Sequence, residues 1–445
     1  MVLSSSVYFV FLVGIFFLYW PVARYRAASL AVIVFANYFF YAKWDLFYLF
    51  LIPAASTCDY LIALGLEKWR HPVARRALVT ASLAVNLGIL ASFKFMPVRG
   101  WVFPLGISFY AFQSLTYTLD VYRRDAPATR SLLAYLASVS FFPTTLAGPI
   151  TRVATLVPQF ERPDKTLEPA EGGRALFLIG LGLMKKLLVA DYLGENLVNR
   201  VFDFPKLYTA TEVLIGVYGY VLQIYYDFSG YTDIAIGSAL LLGIRLPANF
   251  NMPYAAESIA DFWRRWHITL SNWLRDYLYF SLPGLRSRWK VVPYLNLVVT
   301  MLLGGLWHGA NWTFVVWGGL HGVGLAATRA LKWRPQSKAV RVLATAHFAC
   351  FAWIFFRAPS LAGAREVLER IGSLTVSFAN VSAGVWLVLG LALVGHYVPA
   401  KWLQRTTDRY AAVPFYAQAA ALALMVLALH LVASTGAAPF IYTRF

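Results

Sequence analysis

Long apolar runs separated by short basic connections dominate this chain, near residues 6–22, 27–42, 47–66, 77–96, 100–119, 132–150, 175–193, 210–228, 231–248, 292–306, 311–331, 339–356, 382–399 and 412–433. Such runs read as membrane-spanning helices. Several fall short of the ~20 residues that a span needs, so about 10 or 11 crossings are expected and the remainder should be re-entrant or interfacial. The first run, MVLSSSVYFVFLVGIFF, lacks a basic n-region and a small-residue cleavage site, and reads as a retained first helix. The expected fold class is an all-α polytopic membrane protein.

Composition agrees: 59% of residues are hydrophobic, 17% aromatic and only 13% charged, with a mean hydropathy of +0.59. A soluble globule of this size carries more polar surface. The formal charge of +18 is spread over loops, with Arg24 and Arg26 after the first helix, Lys68, Arg70, Arg75 and Arg76 after the third, and Arg123, Arg124 and Arg130 after the fifth. The positive-inside rule puts these loops in the cytoplasm and the N-terminus outside. Distributed charge favours contact with inner-leaflet lipids over nucleic acid, and a cytosolic funnel of this sign would favour an anionic donor. Cys58 and Cys350 are the only cysteines and have no metal-site spacing, so neither a disulfide framework nor a metal site is expected. No Walker A sequence, no GxGxxG after a strand and no GxSxG elbow occurs. Without repeats or a second soluble domain, residues 1–445 read as a single transmembrane domain.

Polar residues inside apolar runs carry the candidate chemistry. His308 lies in MLLGGLWHGANWTF, between Trp307 and Gly309 and about one helical turn from Asn311. An ionisable group at membrane depth is costly and marks either a functional site or a hydrogen bond between helices. Position alone leaves both readings open. Gly304, Gly305 and Gly309 point to close backbone approach, with Gly305 and Gly309 in small-xxx-small spacing. The least apolar long stretch, 249–292, contains DFWRRWHITLSNWLRDYLY. On one helix, Trp263, His267, Leu270 and Leu274 share a face, Asp261, Arg265, Asn272 and Asp276 share another, and Asp261 and Arg265 form an i,i+4 pair. An interfacial amphipathic helix explains most of this, but leaves His267 pointing inward, where it can pair with His308. A third block, QIYYDFSGYTDIAIG, places Asp227, Ser229 and Asp233 in an apolar region, with Gly230 marking a break or a close helix contact. These carboxylates are expected to orient the histidines, or to pair with Arg264, Arg265 or Arg275, rather than to react. His321 falls on a roughly opposite helical face from His308 and reads as packing or a helix bridge; His71, His347, His396 and His430 read as structural.

Together these blocks resemble the membrane-bound O-acyltransferase (MBOAT) family, in its branch of alginate O-acetyltransferase membrane subunits. The resemblance runs through PLGISFYAFQSLTYTLDVYR at 104–123, FFPTTLAGPITR at 141–152, DFSGYTDIAIG at 227–237, NFNMPY at 249–254, the segment 261–279 and GGLWHGANWTF at 304–314, to an aromatic C-terminal tail. It implies a ring of helices around a central tunnel, with a cytosolic funnel and a thinned membrane where donor and acceptor meet. It puts the family's invariant histidine on His308 and its upstream Asn/His position on His267. Two departures leave acceptor and partner open: SLPGLRSR at 281–288 replaces the usual Gly-Gly-Asn-Arg loop, and FPTT at 142–145 leans toward the D-alanyl transfer branch that modifies teichoic acids.

The implied chemistry suits the residues. A hydroxyl attacking an acyl thioester must lose its proton, and a histidine such as His308 is a natural general base. A transient acyl-histidine is the alternative role. His267, Asn311 or a glycine-exposed N–H can donate to the oxyanion, with Trp307 in support. Arg264, Arg265 and Arg275 suit donor phosphates and lipid headgroups equally. The leading expectation is a multi-pass protein of the bacterial cytoplasmic (inner) membrane, moving acetyl from acetyl-CoA, with no tightly bound cofactor, to an exported polysaccharide, directly or through periplasmic acetylation partners. A D-alanyl transferase fed by an acyl carrier protein is the second expectation, and a transporter or channel the third.

Overall fold

The computed structural model describes residues 2–432 except 44, 97–105, 147, 164, 285–288, 290 and 332–334, with side chains as far as 429. The C-terminal tail, residues 285–288 of the departing loop and residues 104–105 of the first family segment therefore lie outside the described residues. Among the described residues there are helices and turns and no strand.

In chain order the helices are α1 Ser6–Val22, α2 Arg26–Ala42, α3 Tyr48–Lys68, α4 Pro72–Lys94, α5 Ile107–Arg123, α6 Leu132–Val139, α7 Phe142–Thr145, α8 Val153–Glu161, α9 Pro169–Met184 and α10 Asn199–Asp203. They continue with α11 Ala210–Leu241, α12 Ile259–Trp263, α13 Ile268–Trp273, α14 Val292–His308, α15 Trp312–Leu331, α16 Lys338–Arg357, α17 Leu361–Gly372, α18 Ala383–His396, α19 Ala400–Ala412 and α20 Phe415–Val432. Serine hydroxyls at Ser5, Ser131, Ser258, Ser337, Ser360 and Ser382 accept the first orphan N–H groups of their helices. The chain divides into two compact units, one of Met1–Gly180, Tyr231–Pro247 and Thr407–Gln418, the other of Leu181–Gly230, Ala248–Thr406 and Ala419–Phe445.

The first unit buries a polar cluster within an apolar core and leaves apolar side chains exposed on its outside. Asp59 on α3 is fully buried, and its carboxylate accepts from Ser82 at 2.6 Å and Asn86 at 2.7 Å on α4 and from Ser114 at 2.6 Å on α5. Three donors on two neighbouring helices offset the cost of burying that charge and fix the three-helix register. Val10, Phe17 and Phe50 are exposed, an arrangement that suits lipid and not water. Arg75, in the first turn of α4 within the basic segment 67–76, is buried and donates to the carbonyls of Leu66 and Tyr122. It thereby ties that segment to the end of α5 that carries Arg123, so both basic segments lie at one end of this unit.

The second unit is built around an aromatic core. The ring of Trp266 lies 5.1 Å from Phe250 and 5.0 Å from Trp353 and stacks on Phe262, while Trp317 packs on Trp353 at 5.6 Å. α14 and α15 form an antiparallel hairpin whose backbones meet at Gly305 and Gly318; a Cβ on Gly305 would collide with the carbonyl of Phe314. The close contact thus pairs Gly305 with a glycine of the next helix, and Gly309 lies beyond the end of α14.

Two local expectations are corrected. α11 is one 32-residue helix that runs through Gly230 without a break. Gly230 is instead a close contact: a Cβ there would stand 2.7 Å from the carbonyl of Gly182. The segment 259–281 is not one amphipathic helix but α12, a turn, α13 and then π-helical and 3-10 turns. His267 adopts φ 41°, ψ 55° at the start of α13, a left-handed backbone that an L-residue holds only when surrounding contacts impose it. Trp263, His267, Leu270 and Leu274 are nevertheless all buried.

By length and composition alone, three helices among the described residues suffice to cross a membrane, α3, α4 and α16, or four if α18 and α19, bent by 95°, count as one span. Shorter apolar helices include α1, α2 and α14, so a count of ten or eleven crossings rests on helices below full span length.

Candidate active site

His267 is 1% exposed, and its Nδ1 lies 3.1 Å from Oδ1 of Asn249. That oxygen also accepts from Thr269 N at 3.2 Å and Thr269 Oγ1 at 3.0 Å. A backbone N–H can only donate, so the Thr269 contact identifies this atom of the Asn249 amide as the oxygen. Nδ1 of His267 therefore donates, and in the neutral ring the lone pair sits on Nε2. The ring edge packs on Phe228 at 4.6 Å. The left-handed turn at His267 lets Ile268 N and Thr269 N both reach Asn249, at its backbone and side-chain oxygens respectively.

His308 ends α14 and is 4% exposed. Its ring is enclosed by aromatics, with centroids 4.8 Å from Trp307, 5.2 Å from Trp317, 4.9 Å from Phe356 and 6.1 Å from Phe314. Trp307 is the shared neighbour, because its ring also lies 6.4 Å from that of His267. The two histidines thus flank one indole. Asn311 is not on the helix of His308 but in the turn after it, where Nδ2 donates to Pro359 O at 2.9 Å and Oδ1 accepts from Thr313 N at 3.0 Å. It braces the turn that holds His308 against the end of α16.

Asp227 pairs with a lysine rather than with any of the three arginines. Nζ of Lys186 stands 2.6 Å from Asp227 and 2.7 Å from Asp191, with the Lys186 and Asp227 side chains 2% and 3% exposed. Lys186 sits in a π-helical turn, Lys185–Asp191, a distortion frequent at functional sites. Ser229 is buried close by in sequence, and Asp233 lies further along α11, within the first unit. Arg264 and Arg265 both pair with Asp261, at 3.5 and 3.0 Å, so the expected i,i+4 pair forms; Arg275 pairs with Asp276 at 2.7 Å. Arg264 and Arg275 are well exposed. His321 bridges helices, its Nδ1 accepting from Trp263 Nε1 at 3.3 Å.

Asn249, Lys186 and Arg357 were not singled out from sequence. Lys186 carried the same signal as His308, an ionisable residue in an apolar run, and Asn249 lay in the NFNMPY segment. Arg357 closes α16, where it reads as an ordinary basic helix end.

The profile of the membrane-bound O-acyltransferase family matches residues 7–363, most of the chain and both histidines. The chain belongs to this MBOAT family. Among its relatives, the probable alginate O-acetylase of Azotobacter vinelandii is 40% identical over 408 residues, 85% of this chain and 79% of that protein. The peptidoglycan O-acetyltransferase of Helicobacter pylori is 34% identical over 397 residues, 79% of this chain and 75% of that protein. The teichoic acid D-alanyltransferase of Bacillus subtilis is 28% identical over 277 residues, 57% of this chain and 68% of that protein. This MBOAT protein is accordingly a multi-pass membrane enzyme, an O-acyltransferase.

Proposed function

We propose that this protein resides in the bacterial cytoplasmic membrane and transfers acetyl from the cytoplasmic thioester acetyl-CoA to a hydroxyl of an exported polysaccharide, directly or through a periplasmic partner. One observation carries the reading: two buried histidines flank the ring of Trp307. In the proposed step, a ring nitrogen of His308 takes the proton as the acceptor oxygen bonds to the thioester carbonyl carbon. The oxyanion is stabilised by nearby donors, the C–S bond then breaks, and the thiolate leaves with the proton that the imidazolium returns. The aromatic enclosure of His308 keeps bulk water from the thioester. His267 orients a reacting group, and Trp307 fixes the spacing of the two imidazoles. Arg264, Arg265 and Arg275 meet donor phosphates or lipid headgroups. No tightly bound cofactor is required.

A D-alanyl transferase fed by a carrier-protein thioester is the second reading, supported by FPTT at 142–145 and by the teichoic acid relative. The two separate on the donor. Purified protein is offered radiolabelled acetyl-CoA, with polymer and partner protein supplied separately, and label is followed into each. Label in either supports acetyl transfer; label in neither, with transfer from an aminoacyl carrier protein, supports the second reading.

A further inference from the structure

A cavity of about 400 Å³ lies one ring away from His308. Its mouth is at Ala310 and Pro359, which are exposed, and its floor at Thr313 and Phe356, which are buried. Phe356 is itself in edge contact with the His308 ring. Polar groups break the otherwise apolar lining of this cavity. Asn199, Gln223, Thr313 and Arg357 line it. Oγ1 of Thr313, fully buried, and Oε1 of Gln223 have no hydrogen-bond partner among the described residues. Buried polar atoms left so in a cavity are groups that a polar ligand satisfies. Gly194 makes room for the Gln223 amide, which a Cβ there would meet at 2.5 Å.

Arg357 gives the cavity its charge. Its side chain is 15% exposed, its guanidinium carbon lies 5.3 Å from the centre of the Phe202 ring, and Nη2 donates to Asn199 Oδ1 at 3.0 Å. Asp203, 54% exposed, approaches to 3.5 Å. That carboxylate is a loose partner that can turn into water. Two fixed neighbours hold the guanidinium, leaving other N–H groups in the fork geometry that a carboxylate fits.

The cavity sits at the end of α16 away from its basic start. Lys338 and Arg341 at the start both pair with Glu257, whose carboxyl the Arg341 hydrogen bond holds below its ordinary pKa. A helix of 20 residues separates the two ends by about 30 Å, the hydrocarbon thickness. With the basic end cytoplasmic, the cavity faces the exoplasmic side, where an exported acceptor arrives.

We propose that this cavity binds a carboxylate-bearing sugar unit of the acceptor, its carboxylate on Arg357 and its hydroxyls on Gln223 and Thr313, so that a hydroxyl is presented toward His308. The proposal rests on the acetyl-transfer reading above for its direction but is tested by binding alone. Full-length protein in nanodiscs is titrated with a uronic-acid trisaccharide and with its carboxyl-reduced, neutral counterpart. Wild type should bind the acidic sugar about tenfold or more tightly than the neutral one, and Arg357→Gln should abolish the difference, as expected for one charge-assisted pair. Asp203→Asn, a change at a half-exposed side chain, should tighten binding of the acidic sugar by removing its competitor. Equal binding of both sugars by wild type, or an Asp203→Asn affinity no better than wild type, would overturn the proposal. Failure of wild type to pass label from acetyl-CoA to any acceptor would instead overturn the acetyl-transfer reading, and the binding difference would stand.

Discussion

Oδ1 of Asn249 accepts from both the backbone and the hydroxyl of Thr269, which leaves Nδ1 of His267, 3.1 Å away, as a third donor to the same oxygen. The pairing sets the tautomer and the plane of the imidazole, and points its Nε2 lone pair away from Asn249. Asn249→Ala should therefore lower kcat by roughly five- to a hundredfold, the ~1–3 kcal/mol cost of leaving a buried donor unsatisfied. The same change in a His267→Asn background should cost much less, because the coupling runs through the ring. Steady-state acetyl transfer by the four proteins of this cycle measures it; equal losses in both backgrounds would mean that Asn249 acts only on the fold.

At His267 itself, asparagine should preserve more turnover than alanine, since an amide keeps hydrogen bonding without a titrating proton. Rates of labelled acetyl transfer by the two variants decide the point. Equal inactivity would assign proton transfer to His267.

Lys186 faces two carboxylates, Asp191 at 2.7 Å and Asp227 at 2.6 Å. Lys186→Met should destabilise the protein by about 3–5 kcal/mol by removing one partner of a buried ion pair. Adding Asp227→Leu should restore part of that loss. Thermal unfolding in detergent checks both, and a double variant no more stable than Lys186→Met would show that Asp227 is not the costly group.

Much of this architecture was legible in the sequence because lipid allows few solutions. Apolar runs had to be helices, and runs such as 6–22, 292–306 and 311–331 fall on α1, α14 and α15 nearly end to end. His308 and His267 stood out because ionisable groups are rare in such surroundings. The break at His267 was not legible, since helical periodicity continues through DFWRRWHITL and only the tertiary hydrogen bonds to Asn249 impose a left-handed residue there. Gly230 could signal either a break or a contact, and the nearness of the Gly182 carbonyl selects the contact. Asp227 had several arginines within sequence reach, yet it pairs with Lys186, a residue two positions past the end of α9 that no local pattern connects to it.

Topology decides whether donor and acceptor approach from opposite sides. Single cysteines in the basic loops 67–76 and 123–130, in a background lacking Cys58 and Cys350, should resist an impermeant thiol reagent in intact spheroplasts and react after lysis. A cysteine at Ala310, at the mouth of the Arg357 cavity, should react in intact spheroplasts. The reverse pattern would place the cavity on the cytoplasmic side.

The central claim is that His308 removes the acceptor proton, and its most direct measurement compares wild type with His308→Ala. Both are purified in detergent, matched for thermal unfolding, and supplied with radiolabelled acetyl-CoA and acceptor. Loss of a general base should lower transfer by about 10²- to 10⁴-fold, with the fold intact. Acetylation at the wild-type rate by a well-folded His308→Ala protein would contradict the account.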